Sequence, residues 1–216
     1  MKNIFVFLFI VFSNFLNAQN NFEPFTKFKL GAYTGINFEQ SSEVGGNFIV
    51  EGKTNLISDI NLNLSFGYYR SFETVSNIVK TNYNGTINGI AFFHANEYKI
   101  YKKEYNVLPF SIGLQYAFEN QIISPYLLLN ASYNFIIDTK NHRTGGITYS
   151  YNSFEQIPDE YKTNNFEPFP ESSYGASFGI GALIKISSVL DLDLRYFYKT
   201  DSEIINTHHF VAGITF

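Results

Sequence analysis

The chain contains no cysteine, which excludes a disulfide framework and a thioether-linked lipid anchor. Charge is also scarce: Asp, Glu, Lys and Arg make up 16% of the residues, whereas a water-soluble domain typically carries about 25%. The balance is acidic, −4 at neutral pH, which argues against nucleic acid as a partner. No apolar run is long enough for a membrane-crossing helix, which needs about 20 residues. The nearest is 4–12, which follows Lys2 and precedes Ser13, Asn14, Asn17 and Ala18. That layout reads as a signal peptide over 1–18 with cleavage after Ala18, then a periplasmic lead-in over 19–27.

What the chain has in abundance is aromatic side chain, 19% of all residues, with 24 Phe and 16 Tyr. Mean hydropathy is nevertheless close to zero, −0.08. The two facts are reconciled by alternation, because successive side chains on a strand point to opposite faces. Ile60, Leu62, Leu64, Phe66 and Tyr68 interleave with Asn61, Asn63, Ser65 and Gly67. Leu108, Phe110, Ile112, Leu114, Tyr116 and Phe118 alternate with Pro109, Ser111, Gly113, Gln115 and Ala117 in the same way. Further strands are read at 28–38, 47–56, 127–137, 174–184 and 190–199, and a last one carries Phe210, Ala212, Ile214 and Phe216 on its apolar face. A helix cannot separate residues in this manner.

Eight such strands of about 9 to 11 residues each suit tilted crossings of a bilayer. The predicted fold is therefore all-β: an eight-stranded antiparallel up-and-down transmembrane barrel over 28–216. A soluble lipocalin-like barrel also has eight alternating strands, but its apolar face points inward and its exterior carries charge. Here the bulky sets hold almost no ions, and the polar sets are Gly, Ser and Asn. Connections alternate between short ones (57–59, 119–123, 187–189) and longer ones (40–46, 71–103, 138–172, 200–205). Tight turns face the periplasm in outer-membrane barrels and long loops face outward, so both termini are expected in the periplasm.

Charges on the polar faces belong inside. Lys29, Glu51, Lys53, Lys185, Asp193 and Arg195 are expected to form ion pairs in the lumen, because eight strands enclose a space just wide enough for side chains to fill. A plug is thus favoured over a pore, with a narrow channel as an alternative.

The leader ending Asn17-Ala18-Gln19, the Gly179-Ile180-Gly181 strand and the terminal Val211-Ala212-Gly213-Ile214-Thr215-Phe216 resemble the small eight-stranded outer-membrane barrels of Gram-negative bacteria. The style is closest to PorT-like proteins of the outer membrane protein beta-barrel domain family, with OmpA/OmpX-type barrels more distant. The resemblance implies outer-membrane location and insertion by the barrel-assembly machinery, which would read Phe210, Ala212, Ile214 and Phe216. It supplies no shared catalytic residues. It is compatible with a structural, adhesive or secretion-accessory role.

Candidate chemistry is sparse. A lipid-modifying enzyme would need a histidine near Ser and an acid at the outer leaflet, and His208 with Ser202 and Glu203 is the available imitation. The plainer reading sets His208 and His209 at the headgroup rim. Of the others, His94 and His142, the His142-Arg143 pair has no partner at metal-ligand spacing, no nucleophile elbow occurs, and no cofactor is expected. Asp159, Glu160, Glu167 and Glu171 could hold a divalent cation, although solvated loop is the plainer reading. The segments 71–103 (Tyr83, Phe92, Phe93, Tyr98, Tyr101) and 138–172 (Tyr149, Tyr151, Phe154, Tyr161, Phe166, Phe169) are dense in aromatics, as partner-binding surfaces are. They are also read as hairpins that extend the barrel above the membrane, the favoured reading, with 86–93 pairing 98–105 in the first. The expected partners are outer-membrane lipids and a protein met through these two segments, with the barrel itself a monomer. The hexapeptide 20–25 recurs at 164–169, a coincidence with no physical account.

Overall fold

The computed structural model describes residues 25–39, 42–57, 59–118, 122–163 and 168–216. The leader and most of the lead-in read in the sequence, the first copy of the hexapeptide apart from Phe25, and Phe166 and Glu167 lie outside these. Eight strands form one closed antiparallel ring in chain order: β1 (Phe28–Phe38), β2 (Gly45–Ile57), β3 (Ile60–Ile87), β4 (Ile90–Ala117), β5 (Ile123–Tyr151), β6 (Ser172–Lys185), β7 (Asp191–Asp201) and β8 (Thr207–Thr215). β1 closes on β8 from Gly31 opposite Thr215 to Phe38 opposite His208. Closure leaves no unpaired edge at the depth of the ring, as a strand structure in hydrocarbon requires.

The alternation read in the sequence is the alternation of the wall. Leu64, Phe66, Phe110, Ile112, Leu127, Leu129, Ile180, Phe210 and Ile214 are exposed on the outside, while Glu51, Asn63, Gln115, Asn134, Asp193 and Arg195 are buried inside. Aromatic side chains gather at both rims of this apolar band. Phe28, Tyr116, Phe118 and Phe216 ring the end where β1 begins and β8 ends, and Phe38, Tyr68, Tyr133, Phe135, Tyr174 and Tyr198 ring the other. From Phe28 to Phe38 the chain climbs ten residues, about 25 Å along a barrel axis tilted about 40° from the strands. That is the height of the apolar belt of an outer-membrane barrel.

Inside, glycines make room for rings. A Cβ at Gly213 would run into the Tyr33 ring and one at Gly181 into the Tyr126 ring, so both tyrosines lie against the wall only because those positions carry no side chain.

Of the two readings of 71–103 and 138–172, exposed loop or extension of the barrel, the strands take the second through Tyr151. β3, β4 and β5 do not stop at the rim: pairing with β2 ends at Tyr69 and with β6 at Phe135, but the three strands continue together as a projecting sheet. The 86–93 with 98–105 hairpin does not form. The turn falls instead at Asn88-Gly89, both in the left-handed region (φ 52° and 80°), which sets Ile87 opposite Ile90 and Val79 opposite Tyr98. Asn-Gly is the dipeptide that most readily adopts the two-residue turn whose twist matches antiparallel strands, so it decides the register.

Residues 152–163 lie across this sheet as a strap holding a 3-10 turn (Phe154–Gln156) and a short helix α1 (Asp159–Lys162). Ile157 and Tyr161 pack on Ala95, flanked by Phe93 and Tyr151. Asn82 Nδ2 donates to the Tyr161 carbonyl at 2.8 Å, which ties the strap to β3.

Candidate functional site

Two regions concentrate polar chemistry: the lumen and the base of the projecting sheet. In the lumen, β2 contributes Glu51 and Lys53, and β7 contributes Asp193 and Arg195, because both strands place alternate residues inward at the same height. Arg195 holds Glu51 through both terminal nitrogens, at 3.0 and 3.2 Å, and donates to Asp193 at 2.7 Å. Lys53 Nζ lies 3.3 Å from Glu51 and 3.0 Å from Asp193. Two carboxylates thus face two cations, and the group is neutral as a whole.

Tyr33 on β1 donates to Asp193 at 3.0 Å and Tyr126 on β5 donates to its other oxygen. The Arg195 guanidinium sits 3.9 Å above the Tyr33 ring. This layer spans the cross-section of the barrel. On its terminal side a cavity of about 590 Å³ opens outward, bordered by Lys29, Asn61, Gln115 and Lys185 among others. On its far side only about 40 Å³ is free, among Asn130, Ser132, Lys199 and His209. Beyond that void Lys199 donates to Asn134 at 2.7 Å and His209 stacks on Phe197 at 4.5 Å. Tyr69, Tyr105, Val107 and Ile204, with Ile136 and Phe169, close the far mouth with apolar packing.

Of the six charges assigned to the lumen, Glu51, Lys53, Asp193 and Arg195 meet in one buried cluster. Lys29 and Lys185 lie apart from it, at strand ends beside the open cavity. Lys29 pairs with Asp191 at 2.6 Å and is half exposed, and Lys185 is exposed with no ion pair among the described residues. Water reaches these ends, so neither ammonium has to be neutralised by a buried partner. Tyr126 was not among the candidates: only its parity, opposite to that of the outward Leu127, carried the signal.

Phe210, Ala212, Ile214 and Phe216 lie along the outer face of β8 and its end, where Phe216 and Leu30 exchange two backbone hydrogen bonds of 2.8 Å. His208 is part of the outer aromatic rim. Its Nδ1 lies 2.7 Å from the Tyr196 hydroxyl and its ring packs against Phe38, Tyr196 and Tyr198. Ser202 Oγ accepts from the Tyr174 amide, and no contact joins His208 to Ser202 or Glu203 among the described residues. Asp159 pairs with Lys162 and Glu160 with Lys80, at 2.9 and 2.7 Å.

At the base of the projecting sheet Glu104 is buried and receives Arg70 Nε at 2.8 Å, with His142 Nε2 at 3.0 Å. The Arg70 hydrogen bond, reinforced by those from His142 and Asn106 against the effect of burial, holds its carboxyl at about 2. This carboxylate links β3, β4 and β5 at the point where they leave the ring.

No family model and no curated protein matches the sequence of the chain. Its fold is similar to that of solved structures. Neisserial surface protein A shares 14% identity over 87% of this chain and 95% of that one, with a TM-score of 0.50. The N-terminal β-barrel domain of Pseudomonas aeruginosa OprF shares 10% over 90% and 98%, with a TM-score of 0.47. Ail, the attachment invasion locus protein of Yersinia pestis, shares 13% over 90% and 100%, with a TM-score of 0.44. The chain has the fold of the small eight-stranded outer-membrane barrels.

Proposed function

We propose that this chain is a non-enzymatic integral protein of a Gram-negative outer membrane, in which a sealed monomeric barrel anchors a projecting sheet that serves as an adhesive or scaffolding element. The observation that carries the reading is the division of labour along β3, β4 and β5. The start of β3 (60–69), the end of β4 (107–117) and the start of β5 (123–135) build a wall with an apolar exterior, and their remaining length projects beyond the ring as a surface for contact. The buried, charge-balanced layer of Glu51, Lys53, Asp193 and Arg195 and the apolar packing above it argue against conduction. The outer face of β8, with Phe210, Ala212, Ile214 and Phe216, is the surface we assign to recognition by the barrel-assembly machinery. A role beside a larger envelope complex, including a secretion-accessory one of the PorT-like kind, would engage the projecting sheet.

Because the chain has no cysteine, single thiols report topology directly. Thr86→Cys at the hairpin tip is expected to react with a membrane-impermeant maleimide on intact cells, and Ser187→Cys in the opposite turn only after the envelope is opened. Planar-bilayer recording of the purified protein is expected to show no conductance steps. The reverse labelling pattern, release by osmotic shock without detergent, or regular unitary currents would overturn the reading.

A further inference from the structure

β5 ends at Tyr151, opposite Phe93, and beyond that level β3 and β4 continue alone as a two-stranded hairpin. The register sets Tyr83 opposite His94, Gly85 opposite Phe92 and Ile87 opposite Ile90, so these side chains share one face. Asn84, Thr86 and Ala91 occupy the other. Tyr83 and Phe92 lie 5.5 Å apart and Phe92 and His94 5.3 Å apart, while His94 Nδ1 is 3.0 Å from the Ser150 hydroxyl. At the apex Ile87 and Ile90 are 63% and 73% exposed.

The charge distribution is as uneven as the packing. No Asp, Glu, Lys or Arg occurs in residues 81–96. The first charges below the tip are Lys80 and Glu97, 3.9 Å apart, with Glu160 of the strap on the same ammonium. From the apex downward the order is therefore aliphatic, then aromatic, then charged. Four residues of strand separate Ile87 from Tyr83, about 13 Å, and seven separate it from Lys80, about 23 Å. A peripheral element buried about 5 to 10 Å into a bilayer places aliphatic groups among acyl chains, amphipathic rings at the headgroups and ions in water. A groove in a protein partner would instead demand directional hydrogen-bonding groups on the docking face, and at the apex that face offers Ile87 and Ile90, with Thr86 on the opposite face and Asn88 in the turn.

We propose that the β3–β4 hairpin tip is a lipid-insertion element that docks by its Tyr83, Ile87, Ile90 and Phe92 face into the surface of an apposed membrane. The proposal rests on the reading that the projecting sheet faces outward. The tip stands eighteen residues beyond Tyr69, about 60 Å of strand, so it points away from the bilayer that holds the barrel. The contact deepens the adhesive role by naming the surface adhered to.

The chain has no tryptophan, so Ile90→Trp creates a single reporter at the apex. The variant is placed in nanodiscs of ordinary phosphatidylcholine and mixed with phosphatidylcholine vesicles carrying brominated acyl chains. A blue shift of the tryptophan emission and quenching by the bromines are expected. Replacing both isoleucines, Ile87→Asn with Ile90→Asn, is expected to lower co-flotation of the nanodisc with vesicles by about tenfold or more, since about two apolar side chains no longer leave water. Emission that stays water-like and unquenched, unchanged co-flotation of the asparagine pair, or capture of a protein with indifference to vesicles overturns the proposal. Gel mobility of the unheated protein and retention in the nanodisc report the barrel separately. Loss of these would count against the membrane-anchor reading, whereas a wet tip on an inserted barrel counts against the tip alone.

Discussion

Arg195→Met tests whether the lumen layer is held by its charge balance. Arg195 makes the two-pronged contact to Glu51 and the 2.7 Å contact to Asp193, and its side chain is 2% exposed. Removing it leaves two carboxylates with one ammonium, Lys53, in a space that water does not freely enter. Stripping one partner from a buried ionic group costs about 3 to 5 kcal/mol, because the remaining charge stays desolvated. The companion variant Glu51→Leu with Arg195→Met leaves Lys53 and Asp193 facing each other at 3.0 Å, one charge of each sign. Exchanging a whole buried pair for apolar groups of similar volume is close to neutral, so the double variant is expected within about 1 kcal/mol of the parent. Urea unfolding in lipid vesicles, read by loss of the compact gel band, converts the single-variant cost into a midpoint lowered by roughly 1 to 3 M. Equal losses in the single and double variants would refute the reasoning, since the shape of the arginine and not its charge would then be what the lumen needs.

Two further outcomes are expected. Leu64→Arg, on the outer face at mid-wall, is expected to cost about 2 to 4 kcal/mol in lipid, and Asn63→Ala, one residue away and inside, much less; equal costs in the same urea assay would mean that the wall faces are assigned wrongly. Glu104 is held at about 2, chiefly by Arg70, below the ordinary 4.5. A depressed carboxyl contributes stability that is complete above 4.5 and lost as pH falls through 2, so amide protection in 98–106 and 138–144 is expected to drop over that window. Glu104→Gln is expected to flatten this acid response, and an undiminished drop in the variant would remove Glu104 as its source.

The barrel wall was legible because a strand has no choice about alternation. Once Leu62, Leu64 and Phe66 lie on one side, Asn63 and Ser65 must lie on the other, and the same constraint placed Glu51, Lys53, Asp193 and Arg195 inside. Alternation fails where the backbone is irregular. Register shifts between Thr74 and Asn77, between Tyr98 and Lys99, between Ile100 and Lys102 and between Asn106 and Val107 reset parity in the projecting sheet, and at its base Ser71 and Phe72 are buried side by side. The mixed polarity that left 71–103 and 138–151 open between loop and barrel extension is the mixed polarity of a sheet standing outside the apolar belt. The Asn88-Gly89 turn was a local signal of this, and its weight is visible only once the strands on either side pair.

The sequence by itself determined the strands of the wall, their inward and outward faces, the aromatic rims and the sign of the charges within, since each depends on residues one or two positions apart. Tertiary structure alone decided which of those charges meet. Glu51 and Arg195 are 144 residues apart and on strands that are not neighbours, and only closure of the ring at one stagger sets them at the same height. It also separated Lys29 and Lys185 from that layer by the few residues that bring a strand end into water. The strap that seats Ile157 and Tyr161 on Ala95 belongs to the same class, because long-range packing has no period to be read in the chain.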